Sequence, residues 1–191
     1  CLEHFACFSR SGRTYNNLAE TQQWLDAKRE LLIEHEVRPE ALSALSISTD
    51  DLIQASRDTF ALCWTELSGR VDDRVDLRFP FGVVEEELRD ASRSLQDLWR
   101  LHRQKLSPVL GLIEALLEKG DADRREIWEE NLNDLQVIFA RAEGQIALWD
   151  SYATSDEGSS TPWARWMRHF GDENSIECYA SPIYARDILS K

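Results

Sequence analysis

The residues best suited to chemistry lie late in the chain, where Trp163, Arg165, Trp166, Arg168 and His169 fall within seven positions. Aromatic faces interleaved with cations suit stacking on the bases of a single nucleic-acid strand, with arginines available to phosphates. The same tryptophans would equally serve a core hairpin packed on helices, with the arginines turned outward. A second basic group, Arg100, His102, Arg103 and Lys105, sits just ahead of Pro108. It could meet phosphates, or complement the negative end of a helix. A third feature is acidic. Residues 114–134 carry eight acids against three bases, which fits a solvated helix face or a site for a basic partner.

Catalytic motifs are missing from the sequence. It has no glycine loop ending in Lys-Ser/Thr, no GxGxxG and no HExxH. It also lacks inward Glu-x-x-His pairs and a G-x-S-x-G elbow. His4, His35, His102 and His169 are scattered, and Cys1, Cys7, Cys63 and Cys178 form neither a CxxC pair nor a zinc spacing. No catalytic residue and no metal ligand is nominated. Cys63 and Cys178 read as small core residues.

The elements that position these groups are mostly helical. Tyr15, Leu18, Leu25 and Leu32 give a long helix over about 14–35 a narrow apolar stripe, ended by Arg38-Pro39. Residues 39–48 read as a connector. A second helix then starts near Thr49 or Asp50 and stops at Gly69. A third starts near Val83, should kink or restart at Pro108, and reaches Gly120. The fourth, capped by Asp121 or Asp123, uses Ile127, Leu135, Phe139 and Trp149 and ends about Tyr152. A polar loop over 153–161 follows. The Trp163–Arg168 stretch, a turn at 171–174 and the alternation of Ile176, Cys178 and Ala180 then predict a β-hairpin. Tyr184, Ile188 and Leu189 return to helical spacing. The expected fold is mainly α: four to five long helices with a small C-terminal β-hairpin.

Composition bounds the function. Of 191 residues, 22 are Lys or Arg and 35 are Asp or Glu, giving a net charge of −13 and a pI near 4.7. Such a chain does not grip nucleic acid on its own, because phosphate contacts require positive surface. The sequence shows no signal peptide and no apolar run long enough for a membrane span. Both termini interrupt elements without caps or turns, and the chain starts at Cys1 without Met. These ends read as those of a piece excised from a longer chain.

The terminal stretches carry a family resemblance. Cys1-Leu2-Glu3-His4-Phe5-Ala6-Cys7-Phe8-Ser9 resembles the segment after the DEAH box of iron–sulfur superfamily 2 helicases. Ile176-Glu177-Cys178-Tyr179-Ala180-Ser181-Pro182-Ile183, leading into Tyr184–Leu189, is similar to the strand–Pro–helix segment that precedes their Ser-Ala-Thr motif. The DinG branch, with its paralogue YoaA, is the nearest in pattern, ahead of the XPD branch.

The resemblance implies that residues 1–191 are the helical arch domain inserted between those motifs. Residues 1–10 would end the post-DEAH segment, 11–152 would form the bundle, and 153–191 the hairpin and the start of a final helix. It implies a bacterial, cytoplasmic, nucleoid-associated parent that hydrolyses ATP with Mg and carries a 4Fe-4S cluster. That parent would translocate 5′ to 3′ on single-stranded DNA in repair or replication. The arch would guide the strand against the iron–sulfur domain, and its partners would be the remaining helicase domains and replication or repair proteins. The fragment itself would hold no cofactor and no catalytic centre. The rival expectation is a stand-alone acidic α-helical module that binds a basic protein. Trp163, Arg165, Trp166, Arg168, His169, Arg100, Arg103 and Lys105 stand as candidate DNA contacts.

Overall fold

The computed structural model describes residues 7–70, 76–79, 82–119, 124–155, 162–169 and 175–183. Among these residues are four helices, α1 (Ser11–Glu34), α2 (Pro39–Arg70), α3 (Glu86–Lys119) and α4 (Arg125–Ala153). Four strands accompany them: β1 (Cys7–Arg10), β2 (Asp76–Arg78), β3 (Trp163–His169) and β4 (Ile176–Pro182). The fold is mainly α, as its periodicity predicts. The predicted hairpin is β3–β4, and it is the centre of a larger sheet. The strand order is β1-β4-β3-β2, and every neighbouring pair is antiparallel.

The expected connector at 39–48 is instead the first part of α2. Pro39 opens that helix, where its missing N–H costs nothing and its fixed φ suits the first turn. Glu40 in the same turn favours the positive helix end. Leu42 and Leu45 are buried and continue the apolar face toward Leu52. The chain turn lies just upstream. Glu36 adopts φ 71°, and the Val37 amide closes the end of α1 on the Leu32 carbonyl at 3.0 Å. Helix α3 runs through Pro108 as one element, with no restart. The caps expected at Asp121 and Asp123, the turn at 171–174 and the final helix at 184–191 lie outside the described residues, as do Cys1 and His4.

Two apolar clusters stack along the helices. The cluster next to the sheet joins Leu18, Phe60, Cys63, Trp149 and Tyr152 to Met167, Ile176, Cys178 and Ala180 of the hairpin. The distal one gathers Leu25, Leu32, Leu42, Leu106, Trp128 and Leu135. Polar residues separate them: Thr21 follows Leu18, Ser48 and Thr49 precede Leu52, and His102 lies between Trp99 and Leu106, all buried. The Ser48 hydroxyl donates to the Leu45 carbonyl at 2.8 Å, so at 3.0 Å it accepts the Nδ1–H of His102. Nε2 of His102 then has no partner. Burial, with a smaller contribution from Lys105, pushes the His102 pKa down to about 4, so the ring is neutral near pH 7.

Candidate nucleic-acid surface

The period-two geometry of β3 divides the predicted site between two faces. Arg165 and Met167 point toward the helices and are buried, at 2 % and 0 % exposure. The Arg165 guanidinium is an internal clamp. It donates to the carbonyls of Ser151, Thr154 (3.1 Å) and Gly82 (2.6 Å), fixing the C-terminal end of α4 to the sheet. A cation at that end satisfies carbonyls that have no helical partner. Arg165 is therefore removed from the set of surface contacts by its own packing. Trp163 is half-buried and packs on the sheet-side core. His169 is also half-buried, with its ring 4.6 Å from that of Trp64 on α2.

Trp166 and Arg168 point the other way, onto the outer face of the sheet. Strand register aligns Phe8, Tyr179, Trp166 and Arg78 in one row across all four strands. Trp166 and Tyr179 stack with centroids 5.1 Å apart and planes at 3°. Phe8 lies 4.8 Å from Tyr179 on its other side. The neighbouring row runs Arg10, Glu177, Arg168. The Arg168 guanidinium sits 5.8 Å from the Tyr179 ring centre, within cation–π range. Arg10 approaches Glu177 at 3.7 Å, and the Tyr179 hydroxyl donates to the same carboxylate at 2.8 Å. Beside Trp166 is an open groove of about 570 Å³, walled by Arg78, Phe79, Trp163, Arg168 and Ile183.

The outer row is held from beneath. Tyr152, fully buried on α4, directs its hydroxyl to the carbonyls of both Trp166 (2.9 Å) and Tyr179 (3.0 Å). Burial raises its pKa well above the ordinary phenol value, so the hydroxyl keeps its proton.

The helix-end basic group does not join this face. Arg100 pairs with Asp97 at 3.4 Å and Asp150 at 3.5 Å. Arg103 pairs with Glu143 at 3.0 Å and lies over Phe139 at 4.9 Å. Lys105 donates to the Ala44 carbonyl at 3.1 Å. These three bind α3 to α4 and α2. The described acids between 114 and 134 are exposed, as a solvated face requires.

Sequence reasoning misses Phe8, Arg10, Arg78 and Tyr179. Alternation in β4 places Tyr179 on the face away from the buried Cys178, which is a usable signal. Phe8, Arg10 and Arg78 reach the face through pairings distant in sequence. Among the described residues, no group of three His, Cys, Asp or Glu side chains could hold a metal ion, and no helix is long and apolar enough to cross a membrane.

Fold and site together define, among the described residues, a mainly helical protein whose small antiparallel sheet presents an aromatic, arginine-rimmed face. No family model matches the chain, and no curated protein matches it at a significant level.

Proposed function

We propose that this chain is an arch-type accessory domain of a DinG-like, ATP-dependent 5′-to-3′ DNA helicase, and that a single strand crosses the outer face of its sheet. One observation carries the strand contact: Phe8, Tyr179, Trp166 and Arg78 form a continuous row on a surface open to solvent. Bases stack on such rings with little sequence preference, and Arg78, Arg168 and Arg10 supply the local positive charge. The remainder of a chain of net charge −13 repels phosphate, confining a strand to this face. The helicase assignment is supported by the terminal motifs and the helical architecture. ATP, Mg and the 4Fe-4S cluster belong in this reading to the parent, as do replication or repair partners and nucleoid association.

The test is binding of labelled oligo(dT) to the domain at low salt. Weak binding that falls steeply with added salt and is lost in Trp166→Ala supports the strand contact. Equal binding by Trp166→Ala and the unmodified chain overturns it. A DEAH box before Cys1 and a Ser-Ala-Thr motif after Lys191 in the reading frame would support the helicase assignment, and their absence would leave the acidic interaction module.

A further inference from the structure

The aromatic row on the sheet is a column of rings, and a column offers a flat ligand only its ends. Trp166 and Tyr179 lie with planes at 3° and centroids 5.1 Å apart, close to the spacing of adjacent strands. Parallel rings at that separation meet face to face, so their planes stand up from the sheet. Tyr179 has Trp166 against one face and Phe8, tilted by 36° at 4.8 Å, on its other side. It has no face left for a base. Beyond Phe8 the described sheet stops, because β1 is its edge, and no strand supplies an opposing wall there. Trp166 differs. Tyr179 is its one ring partner among the described residues, and its other face is turned toward β2, where Arg78 is its direct partner in the ladder.

The groove of about 570 Å³ has both Arg78 and Trp166 in its wall. We infer that it seats a single nucleobase of the strand, held between the free face of Trp166 and the Arg78 guanidinium. The inference rests on the strand reading proposed above and narrows it, since one base is held and its neighbours are not stacked on the row. The groove has the volume of a small-molecule site. Ala164, two residues before Trp166 and on the same side of β3, carries only a methyl group and leaves room beside the ring. Phe79 and Ile183 add apolar wall, while Arg78 and Arg168 place two cations at the groove in a chain of net charge −13. Apolar walls with cations beside them complement a flat ring attached to phosphate. Bases stack on aromatic rings and on guanidinium planes alike, so both walls suit the same occupant. Arg78 is exposed, and its long side chain can close over a ring seated on Trp166.

The experiment measures low-salt binding of labelled oligonucleotides of equal length by fluorescence anisotropy. One is wholly abasic, and the others carry one, two or four adjacent thymines in an abasic backbone. One thymine should tighten binding by about fivefold or more, the effect of one stacked base. Further thymines should then add only registers, so affinity rises in proportion to their number. Arg78→Thr removes the planar wall from an exposed strand position and keeps strand propensity. Its preference for the one-thymine chain over the abasic chain should fall at least threefold, a ratio that a lost phosphate contact alone would not move. A gain of about fivefold or more with each added thymine means that several bases stack, which overturns this inference and leaves the strand reading standing. An unchanged preference in Arg78→Thr likewise overturns the sandwich alone. Equal binding of the abasic and thymine chains, or binding of none, overturns the strand reading and this inference with it.

Discussion

Trp166 and Tyr179 are direct partners in the β3–β4 ladder, stacked on its outer side and joined on its inner side by a single hydroxyl, that of Tyr152. The pair is thus a surface feature held by the core, which separates its role in packing from its role in contact.

Trp166→Ala should lower stability by about 1–2 kcal/mol, since Trp166 and Tyr179 are half-buried and stacked on one another. It should weaken oligo(dT) binding by about 1–3 kcal/mol if a base stacks there. Melting curves and fluorescence anisotropy on the same variant distinguish the two effects. A large fall in melting temperature would assign Trp166 to packing instead.

Arg165→Leu should destabilise the fold by about 3 kcal/mol, because it strands the buried carbonyl of Ser151 and removes the donor from the part-buried bonds to Gly82 and Thr154. Urea titration measures this. A loss under about 1 kcal/mol would show that the clamp is dispensable.

His102 makes stability depend on pH. Unfolded, it takes up a proton near pH 6.5; in the fold it does so only near 4. Between those values the unfolded chain binds the additional proton, so stability is complete above about 6.5 and declines as pH falls toward 4. The loss is about 3 kcal/mol over that window. Denaturation midpoints should fall less steeply with acid in His102→Gln than in the unmodified chain. Parallel curves would remove His102 as the cause.

Cys63 and Cys178 meet at 3.8 Å between their sulfurs, and both are fully buried. Burial raises the Cys178 pKa, which disfavours the reactive thiolate. Native iodoacetamide treatment, read by peptide mass spectrometry, should label Cys7 well before either. Rapid labelling of Cys63 or Cys178 in the native protein would contradict their packing.

Pro108 is exposed inside α3 and denies the Gln104 carbonyl its helical amide. Pro108→Ala should raise stability by about 1–3 kcal/mol, measured by thermal melting. A fall would mean that α3 is shaped around the proline.

The features legible in the sequence are local. The stripe of Leu18, Leu25 and Leu32 specifies α1, and the alternation of Ile176, Cys178 and Ala180 specifies β4. Pro39 is legible too, but it carries two meanings, since a proline can end one helix or begin another; only the buried Leu42 and Leu45 decide between them. Arg165 is misplaced when the aromatic and basic cluster is read as one surface. Strand geometry assigns alternate residues to opposite faces, and Met167 marks the inner one. The short strands β1 and β2 have four and three residues, too few for a period to emerge. Their order comes from pairings such as Cys7 with Ala180, which no local pattern encodes.

That last pairing has a mechanical consequence. Antiparallel β1 and β4 bring Cys7 and Pro182 to the same end of the sheet, while α3, at 34 residues and about 50 Å, runs through both apolar clusters packed on α4 and α2. Tension applied at those two points meets the β1–β4 hydrogen bonds one after another, as in a zipper, so this edge yields at low force while the bundle keeps its shape. The molecule is a stiff bundle on a compliant root.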